Sequence, residues 1–141
     1  MNETPILEVE NLEKHFQQSD GFIDRLIGDS KYIKAVDDVS LRLHENDVKG
    51  VIGESGCGKT TLLMTLMGLT PPTGGEIYYE GDPVSGFDRA DWKEFRRNIQ
   101  IVFQDPFNSL DPKMSVRETL LEPLQIHNVD DKHERIIEAL D

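Results

Sequence analysis

Apolar and polar side chains alternate along residues 6–12, which is the period of a half-buried strand. The same alternation returns over residues 32–43 and predicts a second strand region. It ends in a turn at residues 45–47, where Asn46 can adopt a left-handed conformation. Between the two stretches, apolar residues at helical spacing predict a short amphipathic helix over 22–27. We expect this helix to lie on the neighbouring sheet; a partner-binding face is the alternative.

The middle of the chain alternates between strand-like and helix-like segments. Residues 48–52 predict a short apolar strand that runs into a glycine-rich loop. Residues 59–69 are apolar on nearly every side and predict a helix that is buried all round. Two further strands are expected, over residues 76–80 and 101–103. The first of them is followed by a turn at residues 81–83.

The last third of the chain is predicted to be mainly helical. Residues 88–98 have carboxylates in the first turn and arginines in the last, as the helix dipole favours. Ser115 and Glu118 have the spacing of a capping box for the next helix, and Pro123 is expected to interrupt that helix. A final helix is expected over residues 131–140, opened by an aspartate.

The charge balance narrows the range of partners. The 15 Lys and Arg residues against 27 Asp and Glu give a net charge of −12, which argues against a sequence-independent grip on nucleic acid. The charge also suits a high-salt cytoplasm, although ordinary bacterial proteins reach it. The single Cys57 excludes an internal disulfide. With no signal peptide and no apolar run near the roughly 18 residues of a membrane span, we expect a soluble, cytoplasmic chain.

The strongest chemical signal is a phosphate-binding loop. It matches G-x-x-x-x-G-K-[ST] and consists of Gly53, Glu54, Ser55, Gly56, Cys57, Gly58, Lys59 and Thr60. Backbone N–H groups of such a loop and the following helix N-terminus surround the β-phosphate. Lys59 then reaches the β- and γ-phosphates, and the Thr60 hydroxyl ligates Mg²⁺. The alternatives are a tight loop without nucleotide and, for Cys57, a redox switch instead of a small space-filling side chain.

Together with other motifs, this loop resembles the ATP-binding subunits of ABC transporters, within the dipeptide and oligopeptide importer group, which also contains nickel importers. The resemblance extends from the first predicted strand to the C-terminus. It is carried by residues 53–61, the turn at 72–77, the segments 101–106 and 109–112, and the tripeptide 122–124. This combination is far more specific than the phosphate loop alone.

The resemblance implies an α/β fold, a P-loop NTPase core with an antiparallel β subdomain, truncated in the helical subdomain. The core would cover about 5–112 and the start of the helical subdomain about 113–141. It also implies that Phe16 stacks on the adenine of ATP, although a core phenylalanine closing a strand is the alternative. Thr61 would meet the α-phosphate. Gln104 would touch Mg²⁺ or the attacking water and link the nucleotide to the transmembrane subunit.

Other parts of the family pattern are absent from these 141 residues. The sequence contains no Leu-Ser-Gly-Gly-Gln signature, no apolar strand ending in Asp-Glu and no switch histidine in a suitable context. Asp105 is a poor substitute for the magnesium carboxylate, because a polar residue precedes it and no glutamate follows to act as a base. We therefore expect an N-terminal part of a longer protein that binds nucleotide partly and does not hydrolyse it alone.

The resemblance also implies the setting of the complete protein. It would be an ATPase on the cytoplasmic face of the membrane, with transmembrane permease subunits as partners. It would also pair with a second ATPase subunit, identical or different, and serve an extracytoplasmic solute-binding protein indirectly. The transported solute, whether peptide, nickel or another, stays open.

Two other functions are weighed against this one. A small nucleoside-monophosphate kinase would need an arginine-bearing lid; Arg96, Arg97 and Arg117 are available, but no glycine-rich lid surrounds them. An ABC ATPase that serves no transporter, as in nucleic-acid repair or translation, is disfavoured by the acidic balance and by residues 104–112.

Overall fold

The computed structural model describes residues 4–17, 32–103 and 110–140. The chain forms two compact units, the first over residues 1–90 and the second over 91–141. The helix expected over residues 22–27 lies outside the described residues.

The described part of the first unit is built on an antiparallel sheet. Its strands are β1 (Leu7–Gln17), β2 (Tyr32–Leu43), β3 (Gly74–Tyr79) and β4 (Asp82–Pro83). They lie in the order β2-β1-β3-β4, so β1 pairs with β2 on one edge and with β3 on the other. Leu7 pairs with Leu43 in the first ladder and with Tyr79 in the second. The strands predicted over residues 6–12, 32–43 and 76–80 are confirmed, with β1 running five residues beyond its expected end at Leu12.

The core of this unit comes from one face of the sheet. Leu7, Val9 and Leu12 of β1 are buried, with a register shift between Val9 and Leu12, and so are Val36 of β2 and Ile77 of β3. Burying apolar side chains is the main stabilising term available to a domain of this size. The alternation seen in the sequence therefore places β1 at the centre of the first unit.

Gly75 closes a narrow contact between β3 and β1. Its φ is +76°, and a Cβ there would lie 2.3 Å from the carbonyl oxygen of Asn11. We expect Gly75→Ala to lower the free energy of unfolding by roughly 2 kcal/mol or more, through backbone strain and this clash. Denaturant titration measures the change.

Gly86→Ala is the matched control for that prediction, because no atom lies within 4 Å of a Cβ at Gly86. The control should keep the unfolding midpoint of the unchanged chain. A Gly75→Ala variant with the same midpoint as the control would contradict the expected clash.

The helix that follows the glycine-rich loop, α1 (Lys59–Leu66), is shorter and less buried than the sequence predicts. Leu62 and Thr65 are buried, whereas Leu63 and Leu69 are about half exposed. The expectation of a helix buried all round over 59–69 is therefore wrong. Within the described residues, the sheet covers one side of α1, because the helix meets β1 and β2.

Two expected strands do not form. Residues 48–52 and 101–103 have no strand pairing. Val48 is 97% exposed, Ile52 98% and Val102 92%. A strand needs the hydrogen-bonding groups of a neighbouring strand, and an apolar run without that neighbour stays unpaired.

The second unit is helical in its described part. Its helices are α2 (Arg89–Asn98), which begins just before the boundary between the units, α3 (Val116–Ile126) and α4 (Lys132–Glu138). None of the helices in the described part of the chain has the length and apolarity needed to cross a bilayer.

The capping box predicted for α3 is confirmed. The Glu118 N–H donates to the Ser115 hydroxyl oxygen at 3.3 Å, and the Ser115 N–H donates to the Glu118 carboxylate at 2.8 Å. The Ser115 N–H, and then the Ser115 hydroxyl, which donates to the same carboxylate oxygen at 2.7 Å, hold the pKa of Glu118 below its usual value. Because this carboxyl pKa is lowered, the capping box stabilises α3 fully at pH values above the usual pKa of a glutamate. This stabilisation is lost as the pH falls through the lowered pKa.

One detail of the predicted helices is wrong. Pro123 does not interrupt α3, which continues to Ile126. A proline removes one N–H donor, but later residues can still donate to carbonyls, as His127 does to Pro123 at 3.0 Å. The last helix begins directly after Asp131, as predicted, although this residue is left-handed with φ 53° and its side chain makes no cap hydrogen bond.

Candidate functional site

The loop over residues 53–58 is organised around the side chain of Lys59. The Lys59 ammonium donates to the carbonyl oxygen of Gly53 at 2.7 Å and to that of Glu54 at 2.6 Å. It also lies 3.6 Å from the Cys57 sulfur. The first residue of α1 therefore folds back onto the loop that precedes it, and its charge is concentrated there.

Gly58 joins the loop to α1 in a left-handed conformation, with φ +96°. A Cβ at this position would lie 2.0 Å from the carbonyl oxygen of Ala35 on β2. The helix starts directly afterwards, with the Leu62 N–H donating to the Gly58 carbonyl at 2.8 Å. The glycine is required because the loop backbone packs against β2 too closely for a side chain.

The loop side chains are open to solvent. Residues 53–57 and Thr60 are exposed, and Thr61 is half-buried at the start of α1. A Cβ on Gly53 would meet the Cys57 sulfur at 2.6 Å, so this sulfur fills the space above Gly53. This packing agrees with the interpretation of Cys57 as a small space-filling residue. The loop side chains are therefore in contact with solvent.

A cavity of about 350 Å³ lies between β2 and the loop. The side of β2 contributes Lys34 and Asp37, and the other side contributes Gly58, Lys59 and Leu62. The Lys34 ammonium lies 3.1 Å from an Asp37 carboxylate oxygen, and this bond lowers the pKa of Asp37. Asp37 therefore stays ionised, and its negative charge at the cavity is offset by Lys34.

Phe16 lies near the end of β1, opposite Ile33 of β2. Ala35, two residues after Ile33 on the same strand, is the residue whose carbonyl oxygen approaches Gly58. The Phe16 side chain is 43% exposed, so it is not part of the core formed by the described residues. This exposure leaves the aromatic ring accessible near the strand that supports the loop.

Two other residues singled out by the sequence are not among the described ones. Gln104 and Asp105 lie outside the described residues. Within the described ranges, no group of three His, Cys, Asp or Glu side chains could hold a metal ion. The site that the structure assembles is therefore the loop, the start of α1 and the neighbouring part of β2.

Sequence reasoning missed two contributors to this site. Ala35 supports Gly58 through its backbone carbonyl oxygen, which no sequence motif marks. Lys34 offsets the charge of Asp37, which lies three residues further along the chain. On a strand this spacing does not predict that two side chains meet. Only the register of β2 against the loop could have identified them.

Comparison with known proteins places the chain among transporter components. The sequence model described as ABC transporter matches residues 36–141. A putative oligopeptide transport ATP-binding protein of Bacillus subtilis, YkfD, is 39% identical over 141 residues, which is 100% of this chain and 40% of that protein. The oligopeptide transport ATP-binding protein OppF of Salmonella typhimurium is 40% identical over 87% of this chain and 36% of its own length. The chain thus spans about 40% of the length of the first of these relatives.

Solved structures agree on the fold. A dimeric post-hydrolysis form of the ATP-binding cassette MJ0796, bound to ADP and Pi, matches with a TM-score of 0.71 and 26% identity over 95% of this chain and 55% of that one. The protein cbiO1 of Clostridium perfringens, part of the transporter complex cbiONQ, matches with a TM-score of 0.62 and 28% identity. That match covers 96% of this chain and 47% of the other.

These matches confirm the expected α/β fold of an ABC ATPase and the resemblance to the oligopeptide importer group. The agreement does not depend on the loop motif alone, because the matches extend over nearly the whole chain. On the strength of the family match over residues 36–141, the chain belongs to the ABC transporter family.

Proposed function

We propose that this chain is the nucleotide-binding part of an ATPase subunit that drives the import of peptides or a related solute. The observation that carries the proposal is the loop over residues 53–58, packed on β2 through Gly58 and holding the Lys59 ammonium. The names of the relatives, oligopeptide transport ATP-binding proteins, support the same conclusion.

The residues of the loop suit a polyphosphate. The Lys59 ammonium is bonded to two neutral carbonyl oxygens, and β- and γ-phosphate oxygens would be stronger, charged acceptors. The backbone N–H groups at the start of α1 add donors and the positive end of the helix dipole. Thr61, half-buried in the first turn of α1, is proposed to meet the α-phosphate.

Magnesium is proposed as the accompanying cation. The Thr60 hydroxyl is exposed next to Lys59, and a hard cation prefers oxygen ligands of this kind. Gln104 is proposed as a further contact of Mg²⁺ or of the attacking water. Bound Mg²⁺ would neutralise phosphate charge, while Lys59 and the loop N–H groups orient the phosphates.

Phe16 is proposed to stack on the adenine of ATP. Its exposure at the end of β1 leaves ring surface for a base. Phe16→Ala should weaken ATP binding by roughly 1–3 kcal/mol, the scale of base stacking on an aromatic side chain. Isothermal titration calorimetry with ATP and with inorganic triphosphate measures the two affinities.

Inorganic triphosphate is the control ligand, because it offers the same phosphates and no base. Its affinity should be the same for the Phe16→Ala variant and the unchanged chain. An equal loss for both ligands would show that Phe16 acts through packing and not through the base.

The partners are proposed from the resemblance and from the printed descriptions of the relatives. They are transmembrane permease subunits, a second ATPase subunit that is identical or different, and indirectly an extracytoplasmic solute-binding protein. MJ0796 is described as dimeric and cbiO1 as part of a transporter complex, which supports this setting. Nucleic acid is not proposed as a partner, because the net charge is −12.

The same reasoning gives the location and the internal division of the chain. We propose the cytoplasmic face of the membrane, where the ATPase subunits meet the permease. The core with the antiparallel β subdomain is proposed over about 5–112, and the start of the helical subdomain over about 113–141.

A ligand series tests the nucleotide-binding proposal directly. The chain is titrated with ATP, ADP and AMP, each with and without Mg²⁺. Because the loop is built around the β-phosphate, ATP and ADP should bind and AMP should bind far more weakly. Equal affinity for all three nucleotides would contradict the proposal.

The transport role needs a cellular experiment on the whole gene. Deleting the gene in its host should abolish uptake of a labelled oligopeptide, and restoring it should restore uptake. Loss of nickel uptake with normal peptide uptake would identify nickel as the solute instead.

A further inference from the structure

Lys14 is a buried cation beside Phe16. β1 carries Leu12, Lys14 and Phe16 at alternating positions, so the three side chains share one face of the strand. Lys14 is only 9% exposed, although lysine side chains normally reach solvent. Its ammonium lies 2.7 Å from the carbonyl oxygen of Pro71 and 5.1 Å from the centre of the Phe16 ring.

The partners of this ammonium among the described residues are neutral. In the part of the chain that the structure describes, no carboxylate forms an ion pair with Lys14. Burying a charge is costly, and here the carbonyl of Pro71 and the face of the Phe16 ring offset that cost. The ring is therefore attracted to a fixed cation on one of its faces.

The same region ties β1 to the segment that follows α1. Besides the Lys14 bond to Pro71, the Thr73 N–H donates to the Glu13 carbonyl at 2.8 Å. The His15 N–H donates to the Thr73 hydroxyl at 3.0 Å. Residues 13–15 are thus hydrogen-bonded to the segment that follows α1, at Pro71 and Thr73. Phe16 is the next residue of β1.

We propose that Lys14 is a positioning residue for the nucleotide base. Its ammonium holds one face of the Phe16 ring and leaves the opposite face for the base. A side chain near a strand end can otherwise exchange rotamers, and a ring held by a cation loses less freedom on binding. This inference rests on the proposed function, in which Phe16 stacks on adenine.

Two substitutions separate the charge of Lys14 from its hydrogen bond. Lys14→Gln keeps a donor for the Pro71 carbonyl and removes the charge, whereas Lys14→Arg keeps both. Lys14→Gln should bind ATP about threefold to tenfold more weakly, the range of a partly buried cation–π contact, with triphosphate affinity unchanged. Lys14→Arg should restore most of the ATP affinity. Lys14→Met, uncharged and similar in length, is measured in parallel and should agree with Lys14→Gln.

The combined Lys14→Gln and Phe16→Ala variant shows whether Lys14 acts through the ring. It should bind ATP no more weakly than Phe16→Ala alone, because the ring that Lys14 positions is then absent. An additive loss, or an equal loss of ATP and triphosphate affinity in Lys14→Gln, overturns the proposal.

The same set of variants separates failure of this inference from failure of the proposed base platform. A base-specific loss in Phe16→Ala with full ATP affinity in Lys14→Gln and Lys14→Met overturns the role of Lys14 alone. If Phe16→Ala shows no base-specific loss, the stacking role of Phe16 is wrong, and the role of Lys14 falls with it.

Discussion

Lys59→Ala should abolish measurable ATP binding by this chain. The Lys59 ammonium lies on the carbonyl oxygens of Gly53 and Glu54, which keeps the main cation of the site inside the phosphate loop. Removing it would delete the charge-assisted hydrogen bonds that Lys59 is proposed to donate to the β- and γ-phosphates. A loss of roughly 100-fold or more is expected, since each hydrogen bond to a charged group contributes about 1.5–3 kcal/mol. Titration calorimetry with Mg²⁺ and ATP measures the change.

Lys49→Ala is the matched control for this variant. Lys49 is an exposed lysine on the segment leading into the loop, so its removal changes the net charge equally. ATP affinity should stay within about twofold of the unchanged chain, because an exposed charge away from the phosphates is largely screened. Unchanged ATP affinity in Lys59→Ala would sink the assignment of the phosphate loop.

The 141-residue chain should show no ATPase turnover with Mg²⁺ and saturating ATP. The sequence has no acidic pair at the end of an apolar strand to complete the metal site and activate water, and no Leu-Ser-Gly-Gly-Gln signature. Phosphoryl transfer depends mainly on positioning the attacking oxygen and stabilising charge, and the loop alone supplies only part of this. Phosphate release measured over hours should not exceed that of the Lys59→Ala variant.

The same preparation should be poorly stable. Val48, Ile52 and Val102 are almost fully exposed, and apolar side chains open to solvent favour association. Size-exclusion chromatography and thermal melting should show aggregation and a broad transition. Sustained phosphate release that Lys59→Ala abolishes, with a cooperative melt of a monomer, would contradict both expectations and favour a small P-loop kinase.

Several features of this chain could be predicted because their physical cause is local. The phosphate-loop motif is recognised within eight consecutive residues, since its glycines, lysine and threonine are all expected to act on one ligand. The capping box of α3 depends on Ser115 and Glu118, which are three residues apart. The left-handed turn at Asn46 has φ 63°, as its residue type predicts.

Longer-range features required the tertiary structure. Residues 48–52 have the composition of a buried strand, yet they are unpaired, because strand hydrogen bonds come from a separate segment of chain. For the same reason the sequence could not show that, among the described residues, the sheet covers one side of α1. The sequence also predicts wrongly that Pro123 interrupts α3. The general effect of a proline on a helix does not show how many of the other helical hydrogen bonds form.

The sequence by itself determined the family, the phosphate loop and the alternation that makes β1 and β2 strands, since each is written in neighbouring residues. Only the tertiary structure decided that Gly58 packs on Ala35, that Lys34 offsets Asp37, and that Lys14 lies over the Phe16 ring. The Gly58 contact depends on how the loop docks on β2. The Lys34–Asp37 and Lys14–Phe16 contacts depend on strand geometry, and the second also depends on the segment that follows α1. The strand and this segment set where each side chain points.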